Sequence, residues 1–336
     1  MADLFDRRID LTFYSENNLP IAVIKTPEIG PKPEIKIEGV ILNAKMSISS
    51  KVTITNLERS IDIDSVSTIE AECYYGGSSS LQALKKKFVF QVLWADQSKQ
   101  PPDRQVCFNC LTAGFSPSLA SSYITIKAKQ NADGELVPYT LEELCDKFVL
   151  AYNKAVSQQF GTISMDLALS GTLYTNAEAF RTAPIFINEG TYSLFDFLDF
   201  LSSCTRSKTL IAKGYDSQYY YPLNVFVDDN KLNVVRNPSY DNSYVGAGNR
   251  LKLEYVSSAY RKGPIVYVQS LFDPRISQSC LMVLPTNAIY GRQTLRGIVN
   301  IPSKEVMFYP IAGIQYVFST TTENYMKFQG CVLGGE

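Results

Sequence analysis

The sequence contains no histidine, one tryptophan and no surplus of charge of either sign, with 32 Lys and Arg against 33 Asp and Glu. Each shortage closes a class of function. Without histidine the commonest general base, the usual zinc ligand and the Ser-His and Cys-His nucleophile pairs are all missing. Near-neutrality removes the global field that would gather nucleic acid, anionic lipid or acidic substrates, so a charged partner must be met by a local patch. No window of about eighteen apolar residues occurs, so no single helix is expected to span a bilayer. The start, MADLFDRRIDL, has neither a basic stretch followed by an apolar one nor a small-residue cleavage site, so a secretion signal is not expected. The seven cysteines are odd in number and lack a framework spacing, which fits reduced, mostly buried thiols. The patterns G-x-x-x-x-G-K-[ST], G-x-G-x-x-G and H-E-x-x-H are absent, and Gly76-Gly77-Ser78 lacks the following Lys that a phosphate cradle needs. Nothing here calls for a cofactor or a metal.

What is present is apolar and aromatic. With 336 residues, 45% of them hydrophobic, and with 21 Tyr and 18 Phe, the chain has the material for two or three folded, β-rich modules. The residue groups that could carry chemistry each have an ordinary structural reading. Lys85-Lys86-Lys87, before Phe88-Val89-Phe90, reads as a solvated strand edge in preference to a phosphate site. Cys107 and Cys110 resemble a metal half-site, yet Gln105-Val106-Cys107-Phe108 reads as strand, where residues three apart point to opposite faces. Asp228-Asp229-Asn230-Lys231, between Val225-Phe226-Val227 and Leu232-Asn233-Val234-Val235, reads as a hairpin turn, since Asp and Asn tolerate positive φ. Asp62 and Asp64 alternate with Ile61 and Ile63, as on the exposed face of a strand or extended loop. The run Tyr219-Tyr220-Tyr221-Pro222 reads as sheet packing before it reads as a stacking platform for sugars or bases.

Along the chain the texture changes twice. From Leu11 to about Gly114 short β-type runs succeed one another: Leu11 to Tyr14, Ile35 to Ile37, Val40 to Leu42, Met46 to Ile48, Val52 to Asn56, Ile69 to Tyr74, Phe88 to Trp94 and Gln105 to Leu111. Turn-rich stretches between them indicate an antiparallel sandwich or barrel. Two helical patterns follow. Thr140 with Glu143 forms a capping box ahead of Leu141, Leu144, Cys145, Phe148, Val149, Tyr152 and Val156, ending at Gly161; the second begins at Ser193 with Leu194, Phe197, Leu198 and Leu201 on one side. Asp196 and Asp199 sit near that second N-terminus, where the helix dipole favours acids. The polar stretch Asn237 to Asn249 reads as a linker. Strands are then expected at Leu251 to Val256, Ile265 to Leu271, Leu281 to Leu284, Thr294 to Ile301, Glu305 to Ala312, Ile314 to Ser319 and Tyr325 to Val332.

Three stretches resemble the tail hub family of contractile-tailed phages, which includes Mu-like hubs and the central baseplate hub and is related to the hub part of type VI secretion spikes. The first is Val52-Thr53-Ile54-Thr55-Asn56-Leu57 followed by Ile69 to Gly77, similar to that family's strand ending in Asn-Leu, loop, and strand ending in an aromatic-Gly. The second is Ser193 to Ser203 with its following hairpin, similar to the helix and hairpin of the middle insertion. The third is Val268-Gln269-Ser270-Leu271-Phe272-Asp273-Pro274-Arg275-Ile276, leading to the final strands. Gln278-Ser279-Cys280 departs from the glycine-containing turn that is more frequent in relatives. The resemblance implies a mainly β chain with a smaller α+β insertion: a first tube-like antiparallel β-barrel domain at 1–115, a mixed α/β module at 116–240 and a second tube-like barrel at 241–336. It further implies a homotrimeric ring that joins the tail tube to the central spike in the virion baseplate and is assembled in the host cytoplasm. Tube, spike and other baseplate proteins would be its partners, DNA would pass through the channel without specific binding, and there would be no enzymatic activity. The interface positions it points to are Val52, Ile54 and Asn56 on one ring strand, and Ile265, Tyr267, Gln269 and Leu271 on another. Two other classes remain open on the residues: a receptor- or carbohydrate-binding tail component, and a hydrolase using paired carboxylates.

Overall fold

A computed structural model describes residues 6–41, 49–76, 85–100, 103–115, 119, 121–175, 177–187, 189–205, 223–228, 230–236, 250–263, 265–277, 280–284, 290–294, 297–301, 306–310 and 313–332. Met46 to Ile48, Tyr219 to Pro222 and the linker stretch Asn237 to Asn249 lie outside the described residues.

The first region consists of β1 (Arg7–Tyr14), β2 (Pro20–Ile24), β3 (Ile35–Ile41), β4 (Ser49–Thr55), β5 (Thr68–Tyr75), β6 (Lys86–Gln100) and β7 (Asp103–Thr112). Strict alternation makes β1 a strand: Ile9, Leu11 and Phe13 point into the core and Arg8, Asp10 and Thr12 away from it. Among the described residues the unanticipated β2 pairs only with β1, and its Pro20 stands at the strand start, where a missing N–H costs no ladder bond. The two short runs expected around Glu38 and Gly39 are one strand. A Cβ on Gly39 would lie 2.6 Å from Ser50 Oγ and 2.7 Å from the Tyr316 hydroxyl, so glycine is what lets Tyr316 cross β3.

The insertion opens with β8 (Tyr123–Ile126) and β9 (Tyr139–Thr140), followed by the long helix Leu141–Phe160. Its capping box is fully formed, with Glu143 N–H donating to Thr140 Oγ1 at 3.1 Å and Thr140 N–H donating to the Glu143 carboxylate at 2.9 Å; Gly161, at φ +53°, ends it. After β10 (Thr172–Tyr174), β11 (Pro184–Ile185) and β12 (Gly190–Ser193) comes the short helix Leu194–Cys204, capped by Ser193. It packs on the hairpin of β13 (Leu223–Asp228) and β14 (Lys231–Arg236), whose turn residue Asn230 takes φ +55°. These elements share an apolar core of their own, into which Val89 from the outer side of β6 also packs.

The last region consists of β15 (Arg250–Lys252), β16 (Val256–Lys262), β17 (Ile265–Ser270), β18 (Leu281–Leu284), β19 (Tyr290–Thr294), β20 (Gly297–Ile301), β21 (Val306–Pro310), β22 (Ile314–Ser319) and β23 (Asn324–Val332). Two expectations are corrected here. The strand expected at Leu251 to Val256 stops at Lys252, and a separate strand starts at Val256. The strand expected at Thr294 to Ile301 is half of a hairpin with β19.

The two β regions are one sheet. Its order is β2-β1-β5-β6-β7-β4-β3-β22-β23-β17-β16-β19-β20, with β15, β18 and β21 attached alongside. The seam is β3 against β22, antiparallel from Ile314 opposite Ile41 to Ser319 opposite Lys36. One apolar core lies under it, running from Ile9 and Ile54 through Tyr316 and Phe318 to Phe328. At about 1.5–3 kcal/mol for each fully buried large side chain, this shared core is the main cohesion between the chain's ends. The chain is mainly β with a smaller α+β insertion.

Candidate functional site

The seam is reinforced by polar bonds that cross it. Tyr75, fully buried, donates its hydroxyl hydrogen to the Phe272 carbonyl at 2.6 Å and accepts from Asn324 Nδ2 at 2.8 Å. Asn324 Oδ1 accepts from Phe272 N–H, and Arg7 donates to the Thr322 carbonyl at 2.9 Å. Thr320 bridges back, accepting from Ile35 N–H at 3.0 Å and donating to the Pro33 carbonyl at 2.7 Å. Around these bonds aromatic rings interlock: Tyr75 meets Phe318 edge-on, Phe272 lies 4.7 Å from Phe318, and Phe88 stacks on Tyr316 at 4.8 Å. Burial pushes the Tyr75 and Tyr316 hydroxyls above their ordinary range, so both stay neutral.

The charged candidates are engaged structurally. Lys85 pairs with Glu72, and Lys87 pairs with Glu70 across the β5–β6 ladder and with Asp166 of the insertion. The lysine run is therefore an ion-paired strand start at which Lys85 and Lys87 stay exposed, and Lys87 also tethers the insertion. Beside it is a cavity of about 440 Å³ between the sheet and the insertion, bordered by Lys87, Phe88, Tyr152, Asp166, Asn230 and Tyr316. Asp62 and Asp64 do not lie on a strand or extended loop: Ile63–Ser65 is a 3-10 turn, Asp62 caps it, and Ile63 alone is buried. Cys107 is half-buried and Cys110 buried, on opposite faces of β7, with Thr53 Oγ1 3.7 Å from the Cys107 sulfur. Among the described residues no group of Cys, Asp and Glu could hold a metal ion.

The expected interface residues separate into two sets. Val52 and Ile54 are fully buried in the chain's own core, and β4 is hydrogen-bonded on both sides, to β3 and β7. Asn56 closes that strand at φ +60°; its N–H donates to the Arg104 carbonyl and its side chain accepts from Arg104 N–H. Ile265, Tyr267, Gln269 and Leu271 are half-buried. Tyr267 and Gln269 stand on the outward face of β17, where Tyr267 stacks on Tyr260 of β16 with ring centres 4.6 Å apart and planes 8° apart. With Gln315, Lys327 and Gln329 they border a shallow trough of about 440 Å³.

A second outward feature was missed in the sequence. Between Val92 and Trp94 the ladder of β6 with β7 is bulged, and beyond it Leu93 is 48% and Trp94 55% exposed. The Trp94 indole N–H donates to Asp96 at 3.2 Å, and Asn109 Nδ2 donates to the same carboxylate at 2.8 Å. The adjacency of Leu93 and Trp94 at the end of an otherwise alternating run is the signal that could have found it.

No protein-family model and no curated protein matches the chain. Its structure is similar, at low identity, to solved tail and secretion proteins. The E. coli c3393 protein, a component of the type VI secretion system with structural similarity to the T4 bacteriophage tail proteins gp27 and gp5, is 10% identical with a TM-score of 0.47, covering 90% of this chain and 74% of that one. The tail protein from Neisseria meningitidis MC58 is 8% identical with a TM-score of 0.46, covering 97% of this chain and 96% of that one. The 43 kDa tail protein of prophage MuSo2 from Shewanella oneidensis is 9% identical with a TM-score of 0.44, with 96% of each chain covered.

Proposed function

We propose that the chain is a structural hub subunit of a phage or phage-like tail baseplate, and that three copies close into a ring joining the tail tube to the central spike. In this reading residues 1–115 and 241–336 are two tube-like barrels and 116–240 is the module inserted between them. The observation that supports it best is the β3–β22 seam, which lays strands from both ends of the chain side by side in one sheet. A single subunit then brings two joined sheet segments. Its terminal strands β2 and β20 are each paired on one side only among the described residues. Open sheet edges of this kind pair with further strands, and a near-neutral chain does not repel its own copies.

Since Val52 and Ile54 belong to the internal core, contact between copies runs in this proposal through Asn56 and through Ile265, Tyr267, Gln269 and Leu271. The role is assembly, without catalysis: the chain has no histidine, and Asp62 caps a turn. The subunit would be assembled in the host cytoplasm and reside in the virion tail. Co-sedimentation with the cognate tube and spike proteins tests it: joint pelleting is expected, and absence of binding to both would contradict it. A receptor- or carbohydrate-binding role is the second reading, favoured by the stacked Tyr260 and Tyr267 on an open face. Glycan-array binding by the isolated subunit would support that alternative.

A further inference from the structure

We infer that the bulged ribbon of one copy, carrying Leu93, Trp94 and Asp96, seats in the trough bordered by Tyr260, Tyr267, Gln269, Gln315 and Lys327 of a second copy, and that this contact is the repeating joint of the ring. The inference rests on the trimeric reading above and specifies which surfaces meet.

Both surfaces are incomplete alone. On the ribbon, the chain's single tryptophan and a leucine stand side by side in solvent. Asp96 holds the indole and Asn109 but has no cation beside it among the described residues. In the trough, the carboxamides of Gln269, Gln315 and Gln329 and the hydroxyls of Tyr260 and Tyr267 have no side-chain hydrogen-bond partner among the described residues. Lys327 lies 4.6 Å over the Tyr325 ring and faces no carboxylate there. An exposed aromatic residue with a neighbouring unpaired carboxylate thus complements an aromatic-walled trough with an unpaired ammonium. Aromatic anchors of this kind carry a large share of the energy in protein interfaces. Among the described residues the trough has one lysine and no arginine on its border, so a polyanion is the poorer match.

The topology explains why the occupant is another copy. By register, Trp94 aligns through Asn109, Lys51, Glu38 and Val317 with Tyr325, which places ribbon and trough on the same outward side of the sheet. Between β6 and β17 lie β7, β4, β3, β22 and β23. Both surfaces stand on the side of the sheet turned away from the one core that its two halves enclose, so within a subunit they face outward and not each other. Contact between two different surfaces of identical chains is heterologous, the kind that closes into a ring when the rotation from copy to copy is a whole fraction of a turn.

The single tryptophan makes the contact directly readable. On assembly of the full-length chain, Trp94 emission is expected to shift to the blue and lose iodide quenching. Trp94→Ala, checked for native unfolding behaviour, is expected to weaken self-association at least tenfold. Asp96→Lys and Lys327→Asp should each weaken it, while Asp96→Lys with Lys327→Asp should restore assembly to within a few fold of the native chain. A native trimer whose Trp94 stays quenchable and whose Trp94→Ala and charge variants assemble normally would overturn this joint and leave the trimer standing. A native chain that stays monomeric at every concentration would remove the ring reading and this joint with it.

Discussion

Replacing Tyr75 with Phe removes one oxygen from the seam and tests how the two β regions are held together. The ring remains and its edge contact with Phe318 is kept, so the perturbation falls on the hydrogen bonds. The Phe272 carbonyl loses its 2.6 Å donor and Asn324 Nδ2 loses its 2.8 Å acceptor. Phe272 is 1% exposed, so water does not replace the donor, whereas half-buried Asn324 recovers part of its hydration. A buried polar group left without a partner costs about 1–3 kcal/mol, and the loss expected for Tyr75→Phe is about 2 kcal/mol. Urea unfolding followed by circular dichroism measures it. Asn324→Ala completes a cycle, and because both residues share one bond, the double variant should cost about 1 kcal/mol less than the sum of the single ones. A loss below about 0.5 kcal/mol, or strict additivity, would refute the claim that this network clasps the seam.

Further outcomes follow from the same contacts. Phe318→Ala should cost about 3–5 kcal/mol in the same unfolding assay, while half-buried Ile265→Ala on β17 should cost far less. Thr140→Ala should lose about 1 kcal/mol by breaking the helix cap. The Lys129 ammonium, followed by the Thr140 backbone N–H, holds the Glu143 carboxyl below the usual glutamate range. Its stabilising contribution is therefore present above that range and is lost as pH falls through the lowered value. Glu143→Gln should flatten that part of the stability-pH curve. Burial pushes the Cys110 and Cys145 thiols up to about 12, and Cys73 and Cys204 are buried as well. Among the six described cysteines, a thiol reagent should label Cys107 and Cys280 in the native protein and the other four only after unfolding.

Local signals were legible in the sequence and long-range ones were not. The helix at Leu141 was readable because its capping box and apolar spacing lie within a few residues of each other. The β13–β14 hairpin was readable because Asn230 supplies the positive φ its turn requires. β2 escaped because Pro20-Ile21-Ala22-Val23-Ile24 is apolar on both faces, although only Ala22 and Ile24 pack on the core. β16 escaped for the opposite reason: Val256-Ser257-Ser258-Ala259-Tyr260-Arg261-Lys262 buries only Ala259, so it lacks an apolar face. β19 escaped because Tyr290-Gly291-Arg292-Gln293-Thr294 has no apolar alternation to mark it as a strand. For the site, Val52 and Ile54 alternate as an interface strand would, since burial against a partner and burial in one's own core leave the same pattern. The β3–β22 seam and the trough depend on residues far apart in sequence, which periodicity does not encode.

The most direct test of the account is the mass of the purified chain by light scattering, with negative-stain images of the same sample. The account predicts a ring-shaped particle of three times the 37.5 kDa chain mass. A compact monomer at every concentration, with no ring when tube and spike proteins are added, would contradict it.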